Sequence, residues 1–80
     1  MAKKPSIVEV EWEDSAAEGG WSKRDRYLAQ EPAQCRTVGY LLKADRKKVI
    51  LLQSCHPKED RFTDSLTIPR SCVTSMRKLY

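Results

Sequence analysis

Residues 36–54 read R-T-V-G-Y-L-L-K-A-D-R-K-K-V-I-L-L-Q-S, and this stretch decides the fold. From Arg36 to Lys43, Val38, Tyr40 and Leu42 alternate with Thr37, Gly39 and Leu41, the period-2 pattern of a β-strand. The short turn Ala44-Asp45-Arg46-Lys47 separates it from Lys48–Ser54, the most apolar strand of the chain. Strands joined by so short a turn pair as an antiparallel hairpin. Gly39 inside a strand pattern predicts a strong bend or a close backbone approach. Val49 to Leu52 are apolar at four consecutive positions, so both faces of that strand are apolar. Such a strand needs a second covering layer, either a helix or another subunit.

Towards the N-terminus, Ser6–Glu13 alternates Val8, Val10 and Trp12 with Glu9, Glu11 and Glu13. The apolar set faces a core and the glutamates mark a wet face. Towards the C-terminus, Phe62–Ile68 alternates Phe62, Leu66 and Ile68 with Thr63, Ser65 and Thr67, and Asp64 shares the apolar side. Pro69 ends that run by removing an amide donor. Ser71–Leu79 supplies a last strand, with Cys72, Thr74 and Met76 set against Val73, Ser75 and Arg77. Between the first two strands, Gly19-Gly20 signals a turn, and Ser22, three residues before Asp25, has the spacing of a helix start. Residues 23–30 have room for about two helical turns before Pro32. A helix so short must lie on the rest of the domain.

The count is five short strands and one helical insertion. The expected fold is therefore all-β: a small five-stranded SH3/Sm-like barrel with one short helix between strands 1 and 2. The Ile68-Pro69-Arg70 step resembles the one-turn 3₁₀ corner that precedes the last strand of such barrels.

Eighty residues leave room for one domain, 1–80, with residues 1–5 expected to be a flexible N-terminus. A core of this size supplies only about 3–5 kcal/mol. The length excludes a multidomain enzyme, a kinase and a dinucleotide-binding domain. No apolar run approaches the roughly 20 residues of a membrane span, and Met1–Pro5 lacks the apolar segment of a secretory signal. No membrane partner is expected, and the expected location is cytoplasmic. Cys35, Cys55 and Cys72 are odd in number and form no CxxC pair, so they read as reduced thiols. With His56 they could supply four zinc ligands, but their spacings do not resemble a zinc knuckle or ribbon. No metal or cofactor is expected.

The net charge of +4 is unevenly spread. Residues 1–20 hold two lysines against five acids, net −3, and residues 21–80 hold 13 basic against 6 acidic residues, net +7. The basic part suits an anionic partner.

The pieces V-E-V-E-W-E-D-S (8–15), G-G-W (19–21), C-R-T-V-G-Y-L-L (35–42), V-I-L-L-Q-S (49–54) and L-T-I-P-R-S-C-V-T-S-M-R-K-L (66–79) together cover nearly the whole chain. This combination resembles a family of short, uncharacterised proteins encoded by bacteriophages and prophages. The resemblance implies a phage accessory protein acting in the bacterial cytoplasm, and it carries no catalytic map.

No P-loop, HExxH, GxSxG or GxGxxG is present, and a non-enzymatic protein is expected. Glu11 and Glu13 share a face and could do acid–base work or hold a divalent ion, or simply be solvated. Arg70, pinned by Pro69 and flanked by the Ser71 hydroxyl, is the first candidate for pairing with phosphate, with Arg36 as a second cation. Trp21 could stack on a base or act as a core lid, and Asp14 and Ser15 could read a polar group or cap a turn. These residues suggest a homo-oligomer that sequesters a nucleotide-type ligand, by analogy with phage proteins that sequester nucleotide immune signals. The alternatives are an Sm-like RNA- or DNA-binding module using Arg46, Lys47, Lys48 and Arg77, and an adaptor that inhibits a host protein.

Overall fold

A long strand that serves two neighbours changes partner along its length, and β2 does so beside its glycine. The computed structural model describes residues 5–80. Its elements are β1 (Ile7–Asp14), α1 (Arg24–Leu28), β2 (Ala33–Ala44), β3 (Lys48–His56), β4 (Arg61–Pro69), a 3₁₀ turn (Arg70–Cys72) and β5 (Val73–Lys78). They form one antiparallel five-stranded sheet in the order β4-β3-β2-β1-β5. Ala33 to Tyr40 of β2 pair with β1, and Tyr40 to Ala44 pair with β3. Gly39 sits at the changeover. A Cβ there would lie 3.0 Å from the Leu52 carbonyl oxygen and 3.3 Å from the Leu51 Cβ. The close backbone approach expected at this glycine is present.

The core gathers where the bent hairpin folds over β1. Val8, Val10, Val49, Leu51 and Ile68 are buried together, with Trp12, Leu41, Cys72, Val73 and Met76 packed around them. Trp12 joins the core as its phase with Val8 and Val10 indicates, and its indole N–H donates to the Thr37 hydroxyl at 3.0 Å. β5 departs from the expected alternation. Met76 stands opposite Val10, yet Val73 stands opposite Trp12, because the register shifts between Glu11 and Trp12. This bulge turns Val73 and Met76 to the same core, while Thr74 donates its hydroxyl to the Glu11 carbonyl at 3.0 Å. The three cysteines are free and half-buried.

The sheet is not closed. Among the described residues no ladder joins β4 to β5. The 3₁₀ corner separates them by three residues, after which β4 follows β3 and β5 follows β1. The expected corner is present, and the expected barrel closure is absent. β2 pairs with β3 only from Val49 to Leu52, so the end of the β3–β4 hairpin projects past the sheet. Asp60 and Asp64 both take φ of 53° in this hairpin, and Asp64 interrupts the alternation of β4 in mid-strand.

The insertion differs most from expectation. The helix is only Arg24–Leu28, its N-cap is Lys23, and no side chain caps it, so the Ser22 start signal is not used. Every residue from Ser15 to Pro32 is exposed, and the helix buries none of its own. The insertion folds on itself instead of lying on the sheet. The Tyr27 hydroxyl donates to the Gly20 carbonyl at 2.6 Å, and Arg26 pairs with Glu18 at 2.6 Å. Gly20, at φ 90°, makes the turn that this contact needs. With this arm the molecule measures 57 × 22 × 21 Å. The expected flexible stretch 1–5 lies outside the described residues except for Pro5. No helix among the described residues is long and apolar enough to cross a membrane.

Candidate functional site

The β2–β3 turn is built around one carboxylate. Asp45 Oδ1 accepts the backbone N–H groups of Lys47 and Lys48 at 2.8 and 2.9 Å, and the Asp45 N–H donates to the Lys48 carbonyl at 3.0 Å. Lys43 Nζ lies 3.5 Å from the other oxygen. The two backbone donors, with a smaller contribution from Lys43, hold the Asp45 carboxyl below its ordinary range. The Lys47 carbonyl of this turn accepts the Arg70 N–H at 2.9 Å.

That bond ties the 3₁₀ corner to the turn and brings Arg70 beside Arg46. Together with Ala44 and Asp45 they line an open cleft of about 490 Å³. Arg46, Lys47 and Arg70 are exposed and Lys48 is partly so, and among the described residues none of the four is in an ion pair. The contrast with the other arginines is sharp. Arg26, Arg36, Arg61 and Arg77 each face a carboxylate, Glu18, Glu11, Glu59 and Glu9 respectively, at 2.6 to 3.5 Å. Among the described residues only Arg24, Arg46 and Arg70 lack one, and two of these three share the cleft. The one carboxylate in the cleft, Asp45, is engaged by the Lys47 and Lys48 N–H groups and by Lys43, so neither guanidinium has a direct carboxylate partner, and a phosphate's oxygens could supply bidentate hydrogen bonds to them.

The remaining sequence candidates are dispersed. Ser71 is exposed in the 3₁₀ turn next to Arg70 but does not line the cleft. Arg36 stands across from Glu11 on the wet face and lines a separate hollow with Glu11, Gln34 and Cys35. Arg77 pairs with Glu9 at 3.0 Å. Glu13 accepts from the Gln34 amide at 2.9 Å. Asp14 Oδ1 accepts the Ser15 N–H at 2.8 Å where β1 runs into the arm. Trp21 is fully exposed on the arm and does not line the cleft. A third hollow lies at the tip of the β3–β4 hairpin between Cys55, His56 and Phe62. Cys55 pairs with Phe62 and His56 with Arg61, so the two neighbours sit at successive rungs on opposite faces, as strand geometry requires. Among the described residues no group of His, Cys, Asp and Glu side chains could hold a metal.

Asp45 is the residue that sequence reading passed over. Its signal was an aspartate opening a short turn, where its side chain can bond the backbone two and three residues on. No protein-family model, curated protein or solved structure matches this chain.

Proposed function

We propose that the protein is a non-enzymatic binding module for an anionic, phosphate-bearing ligand of nucleotide type, held at the cleft between the β2–β3 turn and the 3₁₀ corner. The observation that carries this reading is the pairing of Arg46 and Arg70 in one cleft without a carboxylate partner, flanked by Lys47 and Lys48. In this mechanism the guanidinium groups take phosphate oxygens and the lysines add attraction at longer range. Binding by mass action then removes the ligand from solution. Together with the resemblance to phage-encoded proteins, this gives a protein of the bacterial cytoplasm that sequesters a nucleotide signal. In this reading the sheet order is that of an SH3/Sm-like roll, and the chain associates with further copies of itself.

Calorimetric titration with a panel of cyclic and linear nucleotides and inorganic phosphate tests the reading. Saturable binding of about one nucleotide per cleft supports it, and indifference to every member of the panel overturns it. The openness of the cleft and the adjacent lysines favour a second reading, an Sm-like contact with RNA or DNA. Salt separates the two. A nucleic-acid contact with several phosphates loses affinity steeply as salt rises, and a single-nucleotide site loses much less.

A further inference from the structure

We propose that the cleft between the β2–β3 turn and the 3₁₀ corner recognises a diphosphate group and leaves the rest of its ligand, the base included, in solvent. The inference rests on the binding reading above and names the part of the ligand that is read. The residues that line the cleft are Ala44, Asp45, Arg46 and Arg70. None carries an aromatic ring or a large apolar side chain, so the lining offers no surface on which a base can stack. The exposed aromatic side chains Trp21, Tyr27 and Tyr80 lie outside the lining. Hydrogen-bond readout of a base is closed as well. A carboxylate is the side chain that accepts from the amino group of a base edge. The one in the cleft, Asp45, already accepts the Lys47 and Lys48 N–H groups, and its other oxygen lies 3.5 Å from Lys43 Nζ. Backbone donors are engaged too, the Asp45 N–H by the Lys48 carbonyl and the Arg70 N–H by the Lys47 carbonyl. Recognition is left to the two guanidinium groups.

Two guanidinium forks suit two phosphoryl groups. Each fork presents paired N–H donors that match two oxygens of one phosphoryl group. A phosphate monoester that engages one fork through two oxygens has a single terminal oxygen left for the second. Two phosphoryl groups joined through one oxygen offer an oxygen pair to each fork. Charge points the same way. Arg46, Lys47, Lys48 and Arg70 are four cations with no carboxylate partner among the described residues. A phosphate monoester carries only about −1.5 to −2, and a second phosphoryl group brings the ligand closer to balance. The cleft is open, so the remainder of the ligand extends into solvent without obstruction.

The test is titration calorimetry on the full chain at one fixed salt concentration. The probes are inorganic phosphate, inorganic pyrophosphate, adenosine monophosphate, and the diphosphates of adenosine, guanosine and uridine. Pyrophosphate and the three nucleoside diphosphates should bind within about threefold of one another, with phosphate and the monophosphate about tenfold or more weaker. Arg46→Ala and Arg70→Ala should each bring pyrophosphate down to the affinity of phosphate, because one fork then remains. Both side chains are exposed, so the fold does not depend on them. A wider spread among the three bases overturns the inference and leaves the binding reading standing. A monophosphate that binds as tightly as its diphosphate, or nucleotide binding without pyrophosphate binding, does the same. Indifference to every probe overturns the inference together with the binding reading it rests on.

Discussion

Arg70 donates its backbone N–H to the carbonyl of Lys47 at 2.9 Å, across a sequence separation that no local pattern spans. This bond fastens the corner before β5 to the turn between β2 and β3. It converts two arginines from unrelated loops into the lining of one cleft.

Removing either guanidinium should therefore abolish much of the anion affinity. Arg46→Ala and Arg70→Ala should each weaken nucleotide binding roughly tenfold or more, in keeping with a lost charge-assisted hydrogen bond. Both side chains are exposed, so the melting temperature without ligand should hardly change. Arg77→Ala, which removes a residue already engaged by Glu9, should leave affinity nearly intact. Titration calorimetry on the three variants checks the contrast.

The turn that presents Arg46 should depend on pH through Asp45. Its carboxyl titrates below the ordinary value near 3.8, because backbone donors favour the charged form in the fold. A lowered folded pKa contributes stability that is fully present above the unfolded value and is lost as pH falls through the folded one. Asp45→Ala should therefore be less stable than wild type at pH 7. The difference should shrink as pH drops below about 4. Urea unfolding of both proteins between pH 7 and 2 measures it.

Gly39 should tolerate a side chain only at a cost. A methyl group at 3.0 Å from the Leu52 carbonyl oxygen and 3.3 Å from the Leu51 Cβ is tighter than ordinary packing, so β3 must yield slightly to admit it. Gly39→Ala should cost about 1–3 kcal/mol, the usual penalty of overpacking. Leu51→Ala should cost about 2–5 kcal/mol. Against a total of about 3–5 kcal/mol for a domain this small, that variant should be largely unfolded. Chemical denaturation of the two variants gives both numbers.

Asp64 should show the signature of a left-handed backbone. At φ 53°, a β-branched residue is crowded by its own carbonyl. Asp64→Val should cost about 1–2 kcal/mol. Asp64→Gly should be close to neutral, because relief of the crowding offsets glycine's larger entropy loss on folding. Thermal melts of the pair distinguish a backbone effect, which glycine tolerates, from loss of the carboxylate, which would affect both alike.

The sequence by itself determined the five strands, their order along the chain and most of the core. Period-2 alternation at Val8, Val10 and Trp12 and the apolar run at Val49–Leu52 are local signals, and burial follows them because a strand has only two faces. The close approach at Gly39 and the 3₁₀ corner after Pro69 were legible for the same reason, since glycine and proline act on their own backbone. Tertiary structure decided the rest. A bulge opposite Trp12 put Val73 and Met76 on one face, which no periodicity within β5 could show. The open seam between β4 and β5 depends on where each strand finds its neighbour. The arm stays off its own sheet because its hydrogen bonds close within it, although its sequence reads as an ordinary packed helix. The cleft belongs to this second kind. Sequence supplied thirteen basic residues beyond position 20, and only the folded chain shows which of them already face a carboxylate and which do not. Charge pairing is a property of distance in space, and chain order does not encode it for residues as far apart as Arg46 and Arg70.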